Sequence, residues 1–149
     1  MQLVVLGLNH KTVPVDIREQ FAISPDSARS GLIHLDEQEG IEEAVVLSTC
    51  NRTEIYAVLK DETAKETLYD FFLALSGNSE AKDEYFFYFE GEACIRHLFE
   101  VVSGLDSMVI GESQILNQIK TAYTMALEEK ATRTILNTLF HRAIRTRKR

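Results

Sequence analysis

The chain has 149 residues, of which 45% are hydrophobic and 26% charged, and its net charge is −7. This is the length and composition of one folded domain, and the absence of any run of roughly 18 apolar residues excludes a membrane-spanning helix. The first residues lack the basic start of a signal peptide and two cysteines are too few for a disulfide framework, so we expect a cytoplasmic protein with free thiols.

The first ninety residues alternate short apolar runs with amphipathic segments. Ser24 and Pro25 form a typical helix beginning, an N-cap followed by proline at the first helical position, and Gly40 is expected to end that helix. A second helix is expected to end at Gly77. The predicted order is strand 2–7, helix 24–40, strands 44–48 and 54–59, helix 64–75 and strand 85–89. This βαββαβ order predicts an α+β fold, namely a ferredoxin-like antiparallel sheet with two helices on one face.

The residues after Gly91 have a helical pattern throughout. Three helices are predicted, over 92–102, 112–129 and 132–148. We therefore divide the chain into a ferredoxin-like part (1–90), a helical part (91–130) and the start of a long linker helix (131–149). Because the sequence stops on Arg-Thr-Arg-Lys-Arg within a helical pattern, we expect it to be a fragment of a longer protein.

Charge is distributed unevenly along the chain. The residues from Lys130 onward include seven basic and no acidic side chains, so the preceding 129 residues carry a net charge of −14. Such an acidic body does not favour general RNA binding, which depends on contacts to phosphates. The basic end has two interpretations: it complements the dipole of its own helix, which is the simpler one, or it contacts RNA.

Cys50 is the first candidate for chemistry. It follows an apolar strand in a polar loop and lies two residues before Arg52, whose guanidinium would stabilise a thiolate, the nucleophilic form of cysteine. The alternative is that Cys50 is a small apolar residue that completes a core strand. Both interpretations stay open on local composition. Cys94 lies among apolar neighbours on a helix and is expected to pack in the core.

Two histidines are further candidates. His97 shares a helix with apolar residues, so a core histidine with a hydrogen-bond partner is the simpler interpretation. His10 follows the first strand and would approach Cys50 if strands one and two were near neighbours. No C-x-x-C or H-x-x-x-H spacing occurs, so no metal is expected. No G-x-G-x-x-G or P-loop pattern occurs either, so no nucleotide site is expected in this chain.

A third candidate region runs from Gly104 to Gln118. Polar side chains crowd the predicted start of a helix, where free backbone N–H groups favour carboxylates and substrate anions. Gln114 and Gln118 are four residues apart and therefore share one helix face. The alternative is a capped surface helix with solvated glutamines.

Three separated segments together resemble one family, the glutamyl-tRNA reductases. The first runs from Gly7 to Val15 with Ile17-Arg18-Glu19, the second from Leu47 to Tyr56, and the third from His97 through Ser107 to Gln118. The segments occur in order and the resemblance covers nearly the whole chain. It implies the catalytic domain of an enzyme that reduces glutamyl-tRNA to glutamate-1-semialdehyde with NADPH, the first step of tetrapyrrole synthesis.

The resemblance also implies roles for individual residues. Cys50 would attack the ester that joins glutamate to its tRNA, giving an enzyme-bound thioester. His97 would assist activity, as a group that polarises or protonates during acyl transfer. Arg52 would bind a substrate carboxylate through a bidentate contact. The substrate-binding positions that the resemblance implies are Thr49, Asn51, Arg52, Ser107, Glu112, Ser113, Gln114 and Gln118.

The resemblance further implies partners and domains outside this chain. NADPH would bind to a following domain, and a further helical domain would form a homodimer. Glutamate-1-semialdehyde aminomutase would receive the product, and no membrane partner is implied. This chain alone should carry out only acylation of Cys50 and slow hydrolysis.

Two other classes of function remain open. A non-redox cysteine acyltransferase or hydrolase would use the same Cys50 and would turn over unrelated thioesters. A non-catalytic ferredoxin-like module for RNA binding or regulation would bind tRNA independently of Cys50 and form no covalent adduct.

Overall fold

The computed structural model describes residues 1–104 and 114–148, the last two by their backbone alone. The strands are β1 (Gln2–Asn9), β2 (Ile41–Ser48), β3 (Arg52–Leu59) and β4 (Phe87–Glu90). The α-helices are α1 (Val15–Gln20), α2 (Pro25–Ile33), α3 (Lys65–Ser76), α4 (Glu92–Ser103), α5 (Gln114–Glu128) and α6 (Thr134–Lys148). Short 3₁₀ turns occupy Leu35–Glu37, Glu62–Ala64 and Asp83–Tyr85.

The strands form a four-stranded sheet in the order β2-β3-β1-β4, and every neighbouring pair is antiparallel. At one end of the sheet Asn9 of β1 pairs with Arg52 of β3. At the β2 edge the backbone N–H of Ala44 donates to the carbonyl of Ala131, at 3.0 Å, so the segment before α6 occupies part of that edge. The predicted α+β class and antiparallel sheet are confirmed.

Helices cover both faces of the sheet. The Tyr56 ring on β3 packs against Phe140 of α6, with ring centroids 5.4 Å apart, and against His97 of α4. Leu6 of β1 faces the opposite side, where it lines a cavity with Tyr69 of α3. All eight residues of β3 are consequently buried. The expectation of helices on one face was therefore incomplete, because the C-terminal helices cover the other face.

Local capping chemistry set two helix ends as predicted. The Ser24 hydroxyl accepts a hydrogen bond from the backbone N–H of Ser27, at 3.1 Å, and Pro25 is the first residue of α2. Helix α3 ends at Ser76, and Gly77 follows with φ of +71°, in the left-handed region that glycine adopts easily. Both expectations are confirmed.

Other boundaries differ from the predictions. Helix α2 ends at Ile33, not at Gly40, which instead turns the chain into β2 with φ of +86°. The fourth strand begins at Phe87 because the preceding residues form a 3₁₀ turn. Helix α1 was not predicted, because its six residues are too few to show an apolar period.

In the part of the chain that the structure describes, no helix combines the length and the apolar character needed to cross a bilayer.

Candidate active site

Cys50 lies at the tip of the β2–β3 hairpin, where it is exposed. The backbone N–H of Thr49 donates to the carbonyl of Arg52, at 2.7 Å, and closes the turn. Within the turn the Thr49 hydroxyl accepts from the N–H of Asn51, at 3.1 Å. These hydrogen bonds pair backbone N–H groups of the turn, and Cys50 itself remains exposed.

Two contacts tie this hairpin to the region of α1. The buried guanidinium of Arg18 donates from Nε to the carbonyl of Cys50, at 3.3 Å, and from Nη1 to the carbonyl of Val13, at 2.9 Å. The Ser48 hydroxyl accepts from the N–H of Ile23, at 3.0 Å. The position of Cys50 thus depends on a segment about thirty residues earlier in the chain.

A buried ionic cluster lies two residues beyond the turn. Glu54 on β3 is fully buried and accepts three hydrogen bonds. Its Oε2 lies 3.1 Å from Nη1 of Arg52 and 2.7 Å from Nε2 of His97, and its Oε1 accepts from the Tyr56 hydroxyl at 2.7 Å. Arg52 and His97 are themselves buried, so the cluster is largely removed from water.

The cluster holds Glu54 as a carboxylate. Burial alone would raise the pKa of Glu54, but the hydrogen bond and charge of His97, the charge of Arg52 and the Tyr56 hydroxyl together hold that pKa below its ordinary value. An ionised carboxylate only accepts hydrogen bonds, so Nε2 of His97 must carry the proton that it shares. Nδ1 is then the ring nitrogen through which His97 can form a hydrogen bond to another group or transfer a proton to it.

Aromatic rings fix the orientation of His97. Its ring centroid lies 4.9 Å from that of Phe87 and 5.3 Å from that of Phe89, both on β4. The Tyr56 ring stacks on it at 6.4 Å. The imidazole is therefore held by packing as well as by its hydrogen bond to Glu54.

The second cysteine differs from Cys50 in its burial. Cys94 on α4 is fully buried, and burial together with the negative charge of Glu54 raises the pKa of its thiol to about 12. At neutral pH this side chain is a protonated thiol inside the core. The predicted packing role of Cys94 agrees with this position, and both cysteines are free.

The residues predicted from sequence fall into separate groups. Arg52 and His97 meet on one oxygen of Glu54, but no hydrogen bond between described residues joins His97 to Cys50. Gln114 is exposed at the first described turn of α5, and Gln118 is half-buried one turn later. The predictions for Ser107, Glu112 and Ser113 lie outside the described residues.

His10 follows the end of β1. Strand β3 lies between β1 and β2, so a single strand separates the two, and the approach of His10 to Cys50 stays a prediction. The end of β1 instead meets the start of β3, where Asn9 pairs with Arg52.

Sequence reasoning gave no role to three residues of the site, Arg18, Glu54 and Tyr56. A signal for Glu54 was present: Arg52 and Glu54 alternate at the start of a strand whose last five residues are apolar or aromatic, and two opposite charges on one face of a buried strand need partners. Arg18 offered no comparable signal, because it contacts Cys50 across 32 residues of sequence.

The fold and site together define a class: an α+β domain that presents one accessible thiol beside a buried carboxylate–histidine cluster. The family model described as the N-terminal domain of glutamyl-tRNA(Glu) reductase matches residues 6–149. The chain belongs to this family.

Individual relatives agree with the family match. Proteins named glutamyl-tRNA reductase from Rubrobacter xylanophilus and Pelobacter propionicus are 46% and 45% identical to this chain over its whole length, which corresponds to 35% of each relative. The solved glutamyl-tRNA reductase from Methanopyrus kandleri superposes with a TM-score of 0.80 at 33% identity, covering 98% of this chain and 33% of that one. The chain thus spans about a third of the length of the relatives it matches.

Proposed function

We propose that this chain is the acyl-accepting part of an enzyme that reduces glutamyl-tRNA to glutamate-1-semialdehyde, the first step of tetrapyrrole synthesis from glutamate. The observation that carries the proposal is the contrast between the two thiols. Cys50 is exposed on an anchored hairpin, whereas Cys94 is buried with a pKa raised to about 12. A macromolecular ester can reach only the first of them.

The proposed chemistry needs one covalent step in this chain. The Cys50 thiolate attacks the carbonyl carbon of the aminoacyl ester, a carbon–sulfur bond forms, and the bond to the ribose oxygen breaks. The ribose oxygen leaves with a proton, and the glutamyl group remains on Cys50 as a thioester. An aminoacyl ester is already activated, so the step requires a positioned thiolate and a proton donor but no metal.

The proposal assigns recognition to the polar residues around this turn. Thr49, Asn51 and Arg52 lie in or next to the turn, and Gln114 and Gln118 belong to the beginning of α5. Ser107, Glu112 and Ser113 complete the proposed set. Arg52 already binds Glu54, so its contact to a substrate carboxylate would add to an existing ion pair. His97 is proposed to supply the proton through the nitrogen that Glu54 does not hold.

The chain does not fit NADPH. A dinucleotide fold carries its glycine-rich turn at the carboxyl edge of parallel strands, whereas all pairs in this sheet are antiparallel and the sequence lacks the G-x-G-x-x-G pattern. We therefore assign hydride transfer, and the homodimer interface, to the two thirds of the relatives that lie outside this chain. The complete enzyme is proposed to act in the cytoplasm and to pass its product to glutamate-1-semialdehyde aminomutase.

The proposal is tested by intact mass spectrometry after mixing the chain with glutamyl-tRNA and quenching in acid. We expect one glutamyl adduct on the native chain and on Cys94→Ala, and none on Cys50→Ser. Cys94→Ala is the matched control because it removes the other thiol.

Three results would contradict the proposal. An adduct that persists in Cys50→Ser would show that another group is the nucleophile. Turnover of unrelated thioesters as fast as glutamyl-tRNA would indicate a general acyltransferase or hydrolase. Binding of tRNA without any adduct, in a chain that folds normally, would indicate a non-catalytic RNA-binding module.

A further inference from the structure

The basic residues near the end of the sequence belong to one part of the fold, the C-terminal helices. From Gln114 onward there are eight basic and two acidic residues. The two acidic residues, Glu128 and Glu129, both bind Arg29 of α2, the first at 3.1 Å. The C-terminal helices α5 and α6 are therefore a basic unit on an otherwise acidic domain.

Helix α6 exposes two of these basic residues, Arg142 and Arg145, on its outer side. Its apolar side, which includes Leu136 and Phe140, is buried against the core. The exposed residues on the other side are three or four positions apart, so they form one row along the helix. We call this row the basic face; it consists of Thr134, Thr138, Arg142 and Arg145, with Arg133 at its beginning.

The arginines of the basic face are available to a partner. Within the described part of the chain no carboxylate forms an ion pair with Arg142 or Arg145. Arg133 lies 3.9 Å from Glu42, but its side chain is 71% exposed, and such a surface pair contributes little.

The helix dipole explains only part of this arrangement. Dipole effects fall off within the last turn of a helix, which here includes Arg145 but not Arg142. Lys130 and Arg133 precede α6, at the end where the dipole favours negative charge. The simpler interpretation offered by the sequence therefore does not account for the basic residues at the beginning and in the middle of the segment.

The residue types on the basic face indicate a nucleic-acid partner. Arginine and threonine side chains are typical donors to phosphate oxygens of a nucleic-acid backbone. An interfacial membrane helix would expose an apolar side, whereas the large apolar residues of α6 point inward. Helix α6 also packs on β2 and β3, the two strands that carry the Cys50 turn.

We infer that the basic face of α6 binds the phosphate backbone of the substrate tRNA while its acylated end reaches Cys50. The inference rests on the proposed function for the identity of the RNA. The basic face supplies affinity and salt dependence rather than sequence discrimination, since phosphate contacts carry no base information.

The test measures binding of unacylated tRNA(Glu) to the chain by fluorescence anisotropy across a range of salt concentrations. Arg142→Glu/Arg145→Glu should weaken binding at least about tenfold and lower the slope of log K against log salt by roughly two. Lys60→Glu/Lys82→Glu is the matched control, because both lysines are exposed and the net charge changes equally. That control should bind within about threefold of the native chain.

Failure of the inference and failure of the proposed function give different results. Equal losses in the two double variants would overturn the inference, because net charge alone would then explain binding. Binding to anionic lipid vesicles without binding to tRNA would overturn it as well. Loss of tRNA binding in the arginine variant, in a chain that shows no Cys50 adduct, would support the basic face and contradict the proposed acylation.

Discussion

At the scale of single residues, the two cysteines occupy opposite environments within one domain. Cys50 is exposed, whereas Cys94 is buried with a pKa of about 12. We expect an alkylating reagent at pH 8 to modify Cys50 alone in the native chain and both residues in denaturant. Intact mass and peptide mapping measure this, and comparable labelling of Cys94 under native conditions would contradict the buried position of its thiol.

The Glu54 cluster leads to a prediction about stability. Glu54→Gln keeps the size of the side chain but removes the carboxylate that the buried Arg52 guanidinium contacts. Removing one member of a buried ion pair leaves an uncompensated charge, so the free energy of unfolding should fall by about 3 kcal/mol. Urea denaturation measures the change. Glu66→Gln, an exposed carboxylate on α3, is the control and should change stability little.

The comparison of the native chain with Glu54→Gln also gives a predicted pH dependence. Because the pKa of Glu54 is lowered in the folded state, its stabilisation is present above the ordinary value of 4.5 and is lost as pH falls through the lowered value. The difference in unfolding free energy between the native chain and Glu54→Gln should therefore shrink below pH 4.5. A difference that stays constant or grows in acid would show that Glu54 is not ionised by its partners.

The cluster also marks a limit of sequence reasoning. Local sequence offered Cys50 and His97 as candidates and the family resemblance implied their roles, while the pairing of His97 with Glu54 joins residues 43 positions apart. Local pattern shows that β3 is apolar and contains two charges, but it does not show which distant side chain satisfies them. That information arises only when α4 packs on the sheet.

At the scale of secondary structure, a strand residue caps a helix. The buried carboxylate of Glu43 on β2 accepts hydrogen bonds from the backbone N–H groups of Arg133, at 2.6 Å, and Leu136, at 3.0 Å. These are N–H groups that the beginning of α6 would otherwise leave without acceptors. A helix is therefore capped by a residue about ninety positions earlier in the chain.

Loss of this cap should destabilise the domain. We expect Glu43→Ala to lower the free energy of unfolding by about 1–3 kcal/mol, because buried N–H groups lose their acceptor. Glu42→Ala is the matched control, since Glu42 lies 3.9 Å from the largely exposed guanidinium of Arg133, a weak pair. Denaturant titration of both variants measures the contrast, and equal effects would mean that the cap contributes nothing.

The close packing around Gly7 on β1 leads to a second prediction at this scale. A Cβ at Gly7 would lie 2.8 Å from the Thr53 carbonyl oxygen and 2.9 Å from Cγ of Glu54, so neither neighbour can yield easily. Gly7→Ala should cost about 1–3 kcal/mol by overpacking. At Gly31 the three atoms nearest to an added Cβ all belong to the Leu75 side chain, and the closest is a terminal methyl at 2.5 Å, which can move by rotation of that side chain. Thermal unfolding should show a clear loss for Gly7→Ala and little loss for Gly31→Ala.

Element prediction succeeded where local chemistry decides the structure. Ser24-Pro25 and Gly77 set helix ends through their own caps and backbone angles. Helix α1 was missed because only Pro14 at its N-cap and Asp16 in its first turn indicate it. The boundaries of α2 and β4 shifted because 3₁₀ turns extend the connections, and such turns leave little periodic pattern.

At the scale of the whole molecule, the chain should separate acylation from reduction. Supplied with glutamyl-tRNA and NADPH, it should release glutamate slowly and form no semialdehyde, because the proposed function assigns hydride transfer to a part of the enzyme outside this chain. Product analysis by chromatography and NADPH absorbance measure this. Oxidation of NADPH that requires Cys50 would contradict the assignment of hydride transfer to a different part of the enzyme.

The overall class and sheet were predictable because strands and helices alternate clearly in the first ninety residues. Coverage of the second face was not, since it depends on α4 and α6 folding back onto β3. The sequence placed a boundary at residue 91, yet the residues after it supply His97 to the cluster and close the core.

The anchoring of the Cys50 turn by Arg18 has a practical consequence for protein engineering. A loop graft that moves only the hairpin 48–53 into another scaffold would leave behind the guanidinium that holds the Cys50 carbonyl. The smallest transferable unit includes the segment from Val13 to Arg18 as well. Chimaeras and shortened versions of this domain should therefore exchange both segments together.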